Sequence, residues 1–82
     1  MEDYGYFLDI LLEDEIMTES KAKLICQEMC DIVDKNSKDY KMFWLKSDKF
    51  QIGIKPQGNT KNIKEKQIMT NDKDVVTIGF LF

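Results

Sequence analysis

Apolar positions follow two regimes along the chain. Through the first 36 positions they recur at intervals of three and four, the spacing of one face of an α-helix. Tyr4, Phe7, Leu8, Leu11 and Leu12 form one stripe, and Ala22, Ile25, Cys26, Met29, Cys30 and Val33 form a second. Asp3 suits the start of the first helix. Glu13, Asp14 and Glu15 would sit badly at its C-terminal end, where the helix dipole is already negative, and well near the start of a second helix. Thr18 is placed to cap that second helix, with Glu19 in its first turn. Asn36 and Ser37 suit its end. One continuous helix from Asp3 to Asn36 is the alternative, and it is long for so small a domain.

After position 40 the pattern changes to that of strands. Residues 40–46 are rich in aromatic side chains, and Ser47, Asp48 and Lys49 form a short turn. Phe50, Ile52 and Ile54 alternate with Gln51, Gly53 and Lys55, as in a half-buried strand. Pro56 is expected to end that strand, with a turn through residues 57–59. Residues 60–69 read either as a strand ending near Met69 or as a polar helical turn. Thr70 to Asp74 is a second polar turn. Residues 75–82 carry no charge and are β-branched or aromatic at most positions, the clearest strand signal in the chain. The expected fold is α+β: two N-terminal helices packed on one face of a three- or four-stranded antiparallel sheet. All 82 residues form a single domain. A domain of this size hides only roughly 60% of its unfolded surface, enough for one modest core and not for a deep cavity as well.

Charge divides at the same place as periodicity. Residues 1–34 hold ten acids and two lysines, a net of −8, and residues 35–82 hold ten lysines and five acids, a net of +5. Residues 1–36 are thus an acidic helical part and residues 38–82 a lysine-rich β part. No apolar run is long enough to span a bilayer, and no basic-then-apolar signal segment follows Met1. The chain is expected to be soluble and to work in the cytoplasm of a host cell, without a membrane partner.

The residue inventory narrows the chemistry. Every basic residue is lysine, and histidine and arginine are absent. The chain therefore lacks the usual proton-transfer side chain near neutral pH and the planar fork that reads phosphates and guanines. No serine stands in a nucleophile context, and the four glycines are too scattered for a phosphate loop. No catalytic residue and no cofactor are expected. Cys26 and Cys30 are the only thiols. With no further Cys or His to complete a zinc site, they read as small buried members of the core stripe, and no metal is expected.

Two binding readings remain. The first is single-stranded nucleic acid. Lys41, Lys46, Lys49 and Lys55 are interleaved with Tyr40, Phe43, Trp44 and Phe50, the mixture by which many proteins track a phosphate backbone and stack on bases. Net acidity and the absence of arginine count against it.

The second is a protein partner. Beside its core stripe, the first helix carries Tyr6, Ile10 and Met17 among Asp9, Glu13 and Asp14, apolar anchors within an acidic rim. Such a rim favours a partner with a basic surface. Residues 40–46 are apolar on both sides of the sheet, so either Phe43 and Leu45 or Trp44 must face away from the helices. That side also carries Gly53 and Gly79. Exposed side chains there would mark an interface. A ring lying over one of the glycines would instead complete a cross-strand cluster. If the uncharged last strand is an edge, it invites pairing with a second copy, and a homodimer is expected on that ground. The function these features favour is that of a small non-enzymatic protein-binding module. Short chains of this composition without a catalytic set are common among accessory proteins of phages and mobile elements, which suggests an inhibitor that blocks a larger enzyme or defence factor by direct contact.

Overall fold

A computed structural model describes residues 3–13, 15, 17–36, 39–58 and 61–82. Two helices, α1 (Asp3–Leu12) and α2 (Glu19–Asn36), precede four strands, β1 (Met42–Lys46), β2 (Gln51–Ile52), β3 (Ile63–Met69) and β4 (Val75–Leu81). The sheet is antiparallel throughout, in the order β2-β1-β4-β3. The fold is the α+β arrangement that the periodicities predict, with the helices N-terminal to the strands.

Local chemistry sets the helix boundaries. The chain leaves α1 after Leu12, and Glu15 takes a left-handed backbone conformation (φ 54°) with its N–H on the Leu12 carbonyl. Thr18 caps α2: its hydroxyl accepts the Lys21 N–H at 3.3 Å, and its carbonyl accepts the Ala22 N–H. At the other end the Asn36 side-chain amide donates to the Ile32 carbonyl at 2.8 Å, satisfying one of the terminal acceptors. Ser37 lies outside the described residues.

One face of the sheet meets the helices. The register pairs Phe43 with Phe80 and Leu45 with Ile78, so these four point the same way, together with Val76. They pack against Phe7 and Leu11 of α1 and Ala22, Ile25, Cys26, Met29 and Val33 of α2. An aromatic cluster ties α1 to the sheet. The Phe7 ring lies 5.5 Å from Phe43, 5.9 Å from Tyr40 and 6.2 Å from Phe80, centroid to centroid. Such tilted and edge-on pairs add to simple area burial.

On the opposite face one ring covers the middle of the sheet. Trp44 stands across from Gly79 in the register, and its indole lies flat over that glycine. A Cβ at position 79 would fall 2.1 Å from Trp44 Cε2. Trp44 is only 3% exposed although it points away from the helices. Of the two outcomes for this face, the structure has the cross-strand cluster: Phe43 and Leu45 turn inward, and the outward ring fills the space over a glycine.

Two expectations are corrected, and one reading left open is decided. The strand expected over residues 50–55 is only two residues long. Gly53, not Pro56, ends it, because its left-handed backbone (φ 71°) turns the chain onto β1, where a Cβ would meet the Phe43 carbonyl oxygen at 2.6 Å. Residues 63–69 are strand, not a helical turn, paired along their whole length with β4. β4 is an interior strand flanked by β1 and β3, so its uncharged length is already paired and offers no free edge. The edge β3 instead carries Lys64, Glu65 and Lys66, charges that discourage strand addition.

Gly79→Ala should therefore displace the Trp44 ring. The expected cost is roughly 1–3 kcal/mol, the range for an overpacked site. It should appear as a lower urea midpoint and a red-shifted Trp44 emission. An unchanged midpoint and spectrum would show that the ring does not depend on the missing Cβ.

Candidate functional site

The outward side of α1 is the part of the first helix left uncovered by the fold. Phe7 and Leu11 are fully buried on its inner side. Tyr6, Asp9, Ile10 and Glu13 follow at the i, i+3, i+4 and i+7 spacing that aligns side chains along one face. Tyr6 is 56% exposed, Asp9 and Glu13 are exposed, and Ile10 is half-buried between them. The Tyr6 ring rests 5.4 Å from Phe7, so an outward aromatic is backed directly by a core one. Met17 is half-buried and packs against the core, so it supports the face more than it presents itself. Asp14 lies outside the described residues.

The sheet positions expected at the same interface are placed differently. Leu45 is fully buried, Phe43 is half-buried against the helices, and Trp44 is covered. None of the three is an exposed anchor. The exposed apolar side chains of the strand part are Met42, Met69 and Val75, which share the outward face of the sheet, and Ile54 in the β2–β3 connection, 72% exposed. The sequence pattern did not single these out, because which face the helices would cover could not be read from alternation alone.

The lysine and aromatic groups of the nucleic-acid reading are separated by the fold. Tyr40, Phe43 and Phe50 pack toward the core, and Trp44 is buried. Lys41 and Lys46 are exposed; Lys49 is ion-paired with Asp72 at 3.2 Å and Lys55 with Glu65 at 3.3 Å. Tyr40, Phe43 and Phe50 are half-buried and Trp44 is buried, so none of the four rings of that reading is fully exposed.

A concavity of about 270 Å³ opens on the outward side of the sheet, with Trp44, Lys46, Gly53, Ile54, Lys55 and Glu65 among its walls. Three of its polar groups bond to one another. The Trp44 indole N–H donates to one oxygen of Glu65 at 3.4 Å, and Lys55 holds the other. Among the described residues, no three His, Cys, Asp or Glu side chains converge on a point where a metal could bind. Cys26 and Cys30 are buried and not joined in a disulfide, and burial, aided by the neighbouring Cys30, pushes the Cys26 thiol up to about 12, so it stays protonated. No helix among the described residues is long and apolar enough to cross a membrane.

The strongest electrostatic feature was not foreseen. Lys21 on α2 is 6% exposed and reaches Asp74 at 2.8 Å and Asp72 at 3.1 Å, both in the β3–β4 turn. Asp72 also holds Lys49 of the β1–β2 turn, and the Lys21 ammonium lies 5.4 Å from the Phe50 ring. The Thr70 hydroxyl donates to Asp72, and Lys73 takes the left-handed position of the turn (φ 63°). One signal was present: Lys21 precedes Ala22 on the buried side of the second stripe, where a lysine needs an anionic partner. The partners, some fifty positions away, could not be read.

The pKa directions agree with this geometry. Burial alone would lower Lys21, and its bonds to Asp74 and Asp72 outweigh that and hold it above its ordinary value. The Thr70 hydroxyl, followed by Lys21, holds Asp72 well below the carboxylate range, and the bond from Lys21 lowers Asp74 from its ordinary value. Comparison with family models, with curated proteins and with solved structures finds no match for the chain.

Two outcomes follow for stability. The depressed carboxylates contribute stability that is present above their ordinary value of 3.8 and is lost as pH falls through the lower folded values. Lys21 contributes stability that is present below 10.5 and is lost as pH rises through its higher folded value. The urea midpoint should fall on both sides of that window, and Asp74→Asn should shrink the acid limb. Parallel acid limbs for the two proteins would exclude this origin. Lys21→Ala, which leaves two carboxylates without their shared cation, should lower Tm by roughly 10 °C or more at neutral pH.

Proposed function

We propose that the chain is a small non-enzymatic protein-binding module that acts through the outward face of α1. The observation that carries this reading is the exposed Tyr6, set beside Asp9, half-buried Ile10 and Glu13 on a helix whose opposite side is held in the core. Tyrosine is among the residues that dominate interface energetics, because it brings a large rigid surface and a polar tip. The aromatic cluster behind it fixes the helix before a partner arrives, which reduces the ordering cost of association.

Size and inventory support a role by occlusion. A chain of 82 residues without histidine or arginine has little to offer as a catalyst, and contact with a larger enzyme or defence factor is work that a surface alone can do. A phage or mobile-element inhibitor acting in the host cytoplasm is the specific form of the proposal. Single-stranded nucleic-acid binding draws less support, since the aromatic rings beside its lysines pack into the fold. Self-association is not part of the reading, because the uncharged strand that suggested it is interior.

Tagged protein recovered from its native host tests the proposal. Wild type and a variant of the outward sheet face, Met69→Ser, are expected to retain the same copurifying protein. Tyr6→Ala and Ile10→Lys are expected to lose it while keeping a wild-type unfolding midpoint. Retention by both α1 variants would remove α1 as the contact face.

A further inference from the structure

Resting on the reading of α1 as a contact face, we infer that the surface it fits is a cationic one, a lysine- or arginine-rich protein surface whose basic groups meet Asp9, Glu13 and the C-terminal end of α1 around Tyr6. Six acids elsewhere in the chain, Glu19, Glu28, Asp31, Glu65, Asp72 and Asp74, each hold a lysine in an ion pair. No such pair forms among the described residues at Asp48, or at Asp9, Glu13 and Glu15, and the last three lie together on α1 and the turn that follows it, although the chain has twelve lysines.

The helix end adds an independent reason. The last turn of α1 contains no basic residue, and it is followed directly by Glu13. A helix C-terminus carries partial negative charge and is stabilised by cations, so carboxylates there are the unfavourable sign. The free protein thus keeps an electrostatic mismatch at this helix end. A lysine or arginine from a partner would meet Glu13 and the helix end together. A second cation held at Asp9, one turn after Tyr6, would find the exposed Tyr6 ring as a π face. Arginine suits that place, since its planar group can bond a carboxylate while lying against a ring.

The test uses two synthetic helical peptides of equal length, one of arginine, leucine and alanine and one with glutamate in place of arginine. Each is titrated into the isotope-labelled full chain at low salt and followed by amide chemical shifts. The arginine peptide is expected to shift the amides of Tyr6, Asp9, Ile10 and Glu13, and the glutamate peptide to shift none. Asp9→Lys/Glu13→Lys should weaken the arginine peptide about tenfold, as expected for reversing two exposed charge pairs, and admit the glutamate peptide. Shifts spread over every acidic site, or centred on Asp48 or Asp72, would overturn the inference. If Tyr6→Ala weakens the arginine peptide and the charge reversal does not, the contact face stands and its cationic preference falls. If neither variant weakens it, both fall.

Discussion

Lys21 is the buried cation that ties the helix layer of this fold to its sheet, beside the exposed Lys66–Glu28 pair. It leaves the buried side of α2 and reaches two carboxylates of the β3–β4 turn, one of which holds Lys49 from the β1–β2 turn. Helix layer and both hairpin turns are therefore tied by two cations, Lys21 and Lys49, that share Asp72. A buried ion pair is not a cheap source of stability, because removing its charges from water costs several kcal/mol per ion. Its value lies in specificity. An ammonium withdrawn from water must find Asp74 or remain uncompensated, so alternative placements of α2 on the sheet are strongly disfavoured. In a domain with a thin margin, such a constraint selects one arrangement from the several that a modest core would tolerate.

The aromatic cluster acts at the other end of the sheet. Phe7, Tyr40, Phe43 and Phe80 hold α1 where the β1–β4 pairing approaches Leu81. Ion pairs at one end and rings at the other leave each helix with a fixed inner side. The outward sheet face is settled by Trp44 over Gly79, with Glu65 and Lys55 closing the indole N–H. α1 combines an exposed tyrosine with carboxylates that hold no lysine among the described residues, beside a helix end of the same sign.

Much of this architecture could be read from residue order. The stripes, the Thr18 cap and the uncharged, β-branched and aromatic last segment identified both helices and the last strand, because each rests on a local period, a local composition or a local hydrogen bond. Three things could not be read. Strand order depends on pairings between distant segments, so nothing local revealed that β4 is interior. The inward side of residues 40–46 depends on a one-residue register, which places either Leu45 or Trp44 in the core. The Lys21 pairing joins positions about fifty residues apart. Tyr6, Asp9, Ile10 and Glu13 were legible because they share one helix. Phe43, Trp44 and Leu45 were not, because their exposure was a question of register and of one glycine.

The view of the molecule that results is a latched two-layer domain with a single unmatched helix face. Site-specific photo-crosslinking in the native host tests it most directly, with the reactive group at position 6 in one protein and at position 69, on the outward sheet face, in another. The expected result is a covalent adduct to a protein from position 6 and none from position 69. An adduct from position 69 alone, or an adduct to nucleic acid from either position, would contradict it.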